Sequence, residues 1–208
     1  MTRSFLAAVL LAAAVPSDAL AGELALGARL GFASPRGKID SPEYLSDFVD
    51  WTWPLQLEVG YQGEQALVGL YLRVAPGKLD PQLQAGCDAA NTSCNVTDYG
   101  IGAQVTFHFA AGRAGPWLGG FAGYEALKYE ATVGGVPGSI TPSGWEIGAQ
   151  GGLDFAMGRL TLGPYATISL GQFTKSTMKI GGTSDTQTIT DRAAHTWLGL
   201  GLRLGLAL

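Results

Sequence analysis

The chain has 208 residues, of which 31 are glycine and only 14% are charged, with a formal net charge of -4 and a pI near 5.1. Low net charge with 47% hydrophobic residues excludes a disordered tail. The acidic balance excludes the basic face that a nucleic-acid binder needs, so no nucleic-acid partner is expected.

The chain opens as an export signal. Arg3 supplies a positive start, Phe5 to Val15 is a short apolar run, and Ala19-Leu20-Ala21 forms a processing site. Residues 1–21 are therefore expected to be cleaved, leaving a single domain over 22–208. After Gly22 no apolar run approaches the roughly 20 residues of a membrane-spanning helix.

From there the pattern has period 2, the signature of strands with two distinct faces. The first predicted strand places Leu24, Leu26, Ala28, Leu30 and Phe32 on one face and Ala25, Gly27, Arg29 and Gly31 on the other. The second has Trp53, Leu55, Leu57, Val59 and Tyr61 opposite Gln56 and Glu58. The third sets Val68, Leu70, Leu72 and Val74 against Gly69, Tyr71 and Arg73, and the fourth sets Tyr99, Ile101, Ala103, Val105, Phe107 and Phe109 against Gln104, Thr106 and His108. The fifth is read with Leu118, Gly120, Ala122 and Tyr124 on one face, which turns Glu125 the other way. The sixth has Trp145, Ile147, Ala149, Leu153, Phe155 and Met157 opposite Glu146, Gln150 and Asp154. The seventh carries Leu162, Ala166, Ile168 and Leu170 on its apolar face. The eighth is the plainest: Leu198, Leu200, Leu202, Leu204, Leu206 and Leu208 alternate with Gly199, Gly201, Arg203, Gly205 and Ala207.

The connections alternate in length. Those at 61–65, 110–115 and 158–160 are tight, whereas 34–52, 75–98, 131–143 and 174–194 are expected to be long polar loops. Such a meander closes into a barrel with all long loops at one end.

The leucines face either a soluble core or lipid, and three features choose lipid. The opposite face is mostly Gly with a few charges, unlike a water-facing surface, and suits a narrow eight-stranded lumen. Aromatic residues fall in two bands, Tyr61, Phe107, Phe109 and Phe155 at the short-turn end and Phe32, Trp53, Tyr99, Tyr124 and Trp145 towards the long loops. Two such girdles around an aliphatic belt are what a membrane barrel presents to its interfaces. Signal, strand count, turn lengths and apolar final residue together make the chain resemble the small outer-membrane β-barrels, the OmpA/OmpX-like superfamily. The resemblance implies an eight-stranded antiparallel up-and-down transmembrane β-barrel, integral to a bacterial outer membrane. Its partners would be outer-membrane lipids and lipopolysaccharide, with the last strand read by the barrel-insertion machinery. That family usually ends in Phe, where this chain has Leu208. Closure follows from physics as well, because an open sheet edge in lipid leaves backbone groups unsatisfied.

The inward face holds Arg29, Glu58, Arg73, Glu146, Asp154 and Arg203, read as a structural lumen charge network. Closure makes the strands of Arg29, Glu58 and Arg203 neighbours, and Arg203→Leu is expected to destabilise by leaving Glu58 unpaired. Cys87 and Cys94 are expected to form a disulfide at the tip of the second long loop, since they lie close together without a nearby His for metal binding. The first long loop holds Asp40, Glu43, Asp47 and Asp50 without calcium-loop spacing and is expected to be solvated. No metal or cofactor is expected. Catalysis has few options with two histidines. His108 is read as a lumen hydrogen-bonder, and His195, at the edge of the membrane, is the one catalytic candidate. The expected role is non-enzymatic, through loops that meet a surface partner. The alternatives are a small channel for ions or apolar solutes and a lipid-modifying enzyme.

Overall fold

A computed structural model describes residues 22–39, 43–109 and 114–208. The export signal, Asp40 and residues 110–113 of the second tight turn lie outside them. Ten strands are described: β1 (Glu23–Gly37), β2 (Val49–Thr52), β3 (Leu55–Gln62), β4 (Ala66–Leu79), β5 (Ser93–His108), β6 (Gly115–Val133), β7 (Val136–Met157), β8 (Leu160–Ile180), β9 (Thr183–Thr188) and β10 (His195–Ala207). One helix, α1 (Pro81–Ala89), and one 3-10 turn (Leu45–Asp47) complete them.

Eight of these strands form the wall of an all-β antiparallel barrel. The order runs β1, β3, β4, β5, β6, β7, β8, β10, and β10 pairs back onto β1 from Ala25↔Ala207 to Gly37↔His195. The barrel is thus closed, and no edge is left in the lipid-facing belt. β2 continues the wall above β3, paired with β1 at Ala33↔Thr52 and with β4 at Thr52↔Gly77.

The expected faces hold in every stave. Leu30, Leu57, Leu70, Ile101, Leu118, Ile147, Ile168 and Leu200 all stand on the exposed outer surface, and both aromatic girdles are exposed with them. Inward positions are buried, including Arg29, Glu58, Gln104, Glu125, Glu146, Gln150, Asp154 and Arg203. Small residues make room for the rings among them. A methyl group at Gly102 would lie 2.8 Å from Cε1 of Tyr71, and one at Gly123 would lie 2.5 Å from its hydroxyl.

The long connections differ from the expected polar loops. Residues 131–143 are mostly strand: β6 and β7 run on to a tight turn at Gly134-Gly135, with φ of +59° and +81°. Two consecutive positive φ values are what a two-residue hairpin needs to match strand twist, and only glycine adopts them at little cost. The fourth connection likewise turns at Gly181-Gly182 into β9. The second carries α1, with Pro81 at its start and Asp80 Oδ1 accepting from the Gln82 N–H at 2.8 Å. The first is not a solvated loop. Leu45 and Val49 within it are fully buried, because Ile39, Leu45, Phe48 and Val49 fold over the barrel mouth while Glu43, Asp47 and Asp50 stay exposed.

Candidate functional site: the lumen and its cap

The lumen is filled in two tiers. The lower tier, nearer the short turns, is centred on Arg29 and Arg203, which face one another across β1 and β10. Two like charges so placed repel. Both lie against the indole of Trp117, with the Arg29 guanidinium 5.4 Å and that of Arg203 4.8 Å from the ring centre. Arg29 is ion-paired through Nε to Glu58 Oε1. It also donates to Gln150 Oε1 at 2.5 Å and to Gln104 Oε1 at 3.2 Å. One side chain from β1 thereby ties β3, β5 and β7 together across the lumen.

Arg203 lies 3.7 Å from Glu58 but closer to Asp154, to which Nη1 donates at 3.2 Å. Asp154 also takes the Trp117 N–H at 3.1 Å and meets His108 Nε2 at 3.3 Å. The expected dependence of Glu58 on Arg203 is therefore corrected: the principal partner of Glu58 is Arg29, and that of Arg203 is Asp154. β1 lies between β3 and β10, so Arg29 is one strand nearer to Glu58 than Arg203 is.

The upper tier is centred on Arg73 of β4. It donates to both oxygens of Glu146, at 3.1 and 2.8 Å, and through Nε to Asp98 Oδ2 at 3.1 Å. Beside it, Glu125 accepts from the Trp197 N–H at 2.7 Å and meets His195 Nε2 at 2.9 Å. The imidazole is stacked on Phe173, with ring centres 4.2 Å apart. His195 is fully buried, and among the described residues no partner meets its Nδ1. It is a member of the lumen and the first residue of β10. His108 points inward at the lower end.

Asp98 and Glu125 join the six charged residues read from the sequence. Asp98 was hidden because it fell in a span expected to be loop, although it shares the parity of Gln104 on the same strand. Among the described residues the lumen then sets Arg29, Arg73 and Arg203 against Glu58, Asp98, Glu125, Glu146 and Asp154. The two histidines each meet one of these carboxylates. Gln104, Gln150, Trp117 and Trp197, which complete the tiers, come from strands far apart in the sequence.

Between the tiers lies a chamber of about 40 Å³ touched by Arg29, Arg73, Asp98, Glu146, Gln150 and Ser169. A second, of about 20 Å³, opens at the lower mouth between Glu58, His108, Asp154 and Arg203. A water needs roughly 10–15 Å³ on this measure, so each holds a few waters at most. No group of three or more His, Cys, Asp or Glu among the described residues is placed to hold a metal ion.

Above the upper tier the polarity changes. Ala33, Ile39, Leu45, Val49, Leu79, Val96, Leu127, Phe173 and Trp197 form one apolar cluster across the upper mouth, with Phe48, Tyr129 and the two cysteines packed against it. Cys87 of α1 and Cys94 of β5 are joined in a disulfide, with Cα atoms 6.2 Å apart. Since α1 has no buried residue of its own, this bond is its main tie to the cap.

Comparison with known proteins follows the same lines. The family described as Autotransporter beta-domain matches residues 44–208. No curated protein matches the chain. Among solved structures, a major outer membrane protein from Thermus thermophilus is 11% identical, with 88% of this chain and 99% of that one covered and a TM-score of 0.52. Neisserial surface protein A is 13% identical over 86% and 95% of the two chains, with a TM-score of 0.49. Ail, the attachment invasion locus protein of Yersinia pestis, is 15% identical over 88% and 98%, with a TM-score of 0.47. The Thermus likeness shows the fold. With its closed barrel, lipid-facing belt and two girdles, the chain belongs to the Autotransporter beta-domain family and is an integral β-barrel of a bacterial outer membrane.

Proposed function

We propose that this barrel is closed and non-catalytic, and that it works through its extracellular surface. The observation that carries this reading is the pair of lumen tiers lying under an apolar cap. Arg29, Arg73 and Arg203 each bridge strands that are not neighbours, and the chambers left between them hold only a few waters. A narrow barrel filled by its own side chains is a plug. The six charged residues first read from the sequence act in it as structural members, together with Asp98 and Glu125. Among the described residues neither imidazole bonds a hydroxyl or thiol nucleophile; His195 and His108 each meet a carboxylate instead. That supports a structural role for both.

The outer surface above the upper girdle supports contact with lipopolysaccharide. Arg36, Lys78, Lys128, Lys175 and Lys179 fall on outward positions of β1, β4, β6 and β8 by strand register, with Glu130 beside Lys128 at 2.6 Å. Cations at this level suit phosphate-bearing headgroups. Residues 1–21 act as the export signal, so the mature protein begins at Gly22. The alternating apolar end of β10 is what the insertion machinery reads.

The test is single-channel conductance of the barrel in a planar bilayer, with a heat-modifiability gel to show that it is folded. The expected result is a folded and silent barrel. Discrete, reproducible conductance steps would replace this reading with the channel reading and make Arg29, Glu58 and Arg203 candidates for a gate.

A further inference from the structure

The strands do not stop at the cap. From Trp145 in the upper girdle, β7 continues for nine residues to Val136, about 30 Å at the usual rise per residue. β6, β8 and β9 rise beside it, making a four-stranded sheet beyond the membrane. Its register fixes which side chains share a face. Ile140 stands opposite Tyr129 on one side and Met178 on the other; Gly138 stands opposite Ala131 and Ile180; Val133 stands opposite Val136. Alternation puts all of these on the face of Tyr129, whose ring packs on Phe48 in the cap at 5.7 Å. That face looks over the barrel mouth.

Val133, Val136, Ile140, Met178 and Ile180 are 45 to 65% exposed there. They form an uncovered apolar shelf continuous with the buried cluster below. The opposite face of the same strands carries Lys128, Glu130, Lys175 and Lys179, while among the described residues the charged neighbours of the shelf are acidic, Asp185 at its β9 rim and Glu43 near Tyr129. Exposed contiguous apolar patches mark interaction sites.

Geometry narrows the occupant. Lipid of the same membrane meets the outer face, not the shelf. A second copy in the same membrane, with a parallel axis, reaches the shelf only by occupying the space above this barrel's own mouth. Five half-exposed side chains present roughly a few hundred Å², below the roughly 800 Å² per partner of a stable protein pair. Among the described residues the shelf carries no lysine or arginine, which disfavours an acidic partner. We propose that the shelf is the docking surface for an uncharged, apolar polypeptide segment that arrives from outside the cell along the barrel axis. This inference rests on the reading of a closed, surface-acting barrel and names the surface.

The test uses the folded barrel in nanodiscs and a displayed library of random short peptides, selected at about 0.15 M and about 1 M NaCl, where screening lengths are roughly 8 and 3 Å. The expected peptides are apolar and nearly uncharged, and bind equally at both salts. Ile140→Glu or Met178→Glu weakens them about tenfold or more, equivalent to about 1.4 kcal/mol, and Lys128→Gln leaves them unchanged. Both variants sit on exposed positions, and a heat-modifiability gel confirms their folding. Recovery of acidic, salt-sensitive peptides, of no peptide that Ile140→Glu weakens, or of self-association by mass photometry overturns the proposal. A silent barrel with an inert shelf removes this inference alone, whereas a conducting barrel removes the closed reading.

Discussion

The lower barrel and the extracellular cap are built by opposite rules on the same strands. Within the lipid belt, β6 turns Leu118 and Tyr124 outward and Glu125 inward. A few residues further on, the outward positions hold Lys128 and Glu130, and the inward ones Leu127, Tyr129, Ala131 and Val133. β4 changes between Arg73 and Ala75 on its inner face and between Val74 and Lys78 on its outer one. β5 changes between Asp98 and Val96. The alternation keeps its period, and the medium outside the wall decides which class of side chain faces it. In lipid, apolar groups go out and charges need partners inside. In water the chain returns to an ordinary apolar core.

The two regions should therefore fail differently. The largest expected effect is Arg29→Leu in the lower tier, which leaves Glu58 buried with Arg203 at 3.7 Å. Breaking a buried pair in this way costs about 3–5 kcal/mol, read as the urea midpoint of the folded barrel. The double variant Arg29→Leu/Glu58→Leu recovers a large part of that loss. Equal loss in both variants would show that the pair is not the linkage.

Leu45→Ala in the cap costs about 2–4 kcal/mol through the cavity it opens. Its mark is local: faster proteolysis of the 43–52 segment with an unchanged heat-modifiability shift. Loss of the whole barrel would show that cap and wall are one cooperative unit.

On the outer wall, Leu200→Arg at mid-belt costs about 2–4 kcal/mol. Lys175→Leu above the girdle changes stability by less than about 0.5 kcal/mol. Equal effects at the two sites would break the contrast of media. Arg203→Leu costs about 2 kcal/mol, less than Arg29→Leu, because Asp154 keeps Trp117 and His108. A loss matching that of Arg29→Leu would return Arg203 to the position of principal partner of Glu58.

The contrast also explains what was legible in the sequence. The lipid belt was readable because leucines every second residue admit few other structures, and closure then brought Arg29, Glu58 and Arg203 onto neighbouring strands. The cap and the raised sheet were not. Where the rule inverts, as between Tyr124 and Lys128, a pattern followed by its apolar residues breaks off, so strand reads as loop. The signal was present as unbroken parity on β4, β5 and β6, together with the glycine pairs at 134–135 and 181–182, whereas on β8 a bulge between Phe173 and Lys175 shifts the parity. Gln104, Gln150 and Trp117 carry no local mark of their contacts, since these depend on barrel stagger that the period alone does not set.

The most direct test of this inversion is a spin-label scan along β6 from Leu118 to Val133 in lipid, measuring accessibility to oxygen and to a water-soluble nickel reagent. The expected result is oxygen contact at Leu118, Ala122 and Tyr124, nickel contact at Lys128 and Glu130, and one unbroken two-residue period across the change. Oxygen contact continuing through Lys128 and Glu130, or loss of the period beyond Tyr124, would contradict it.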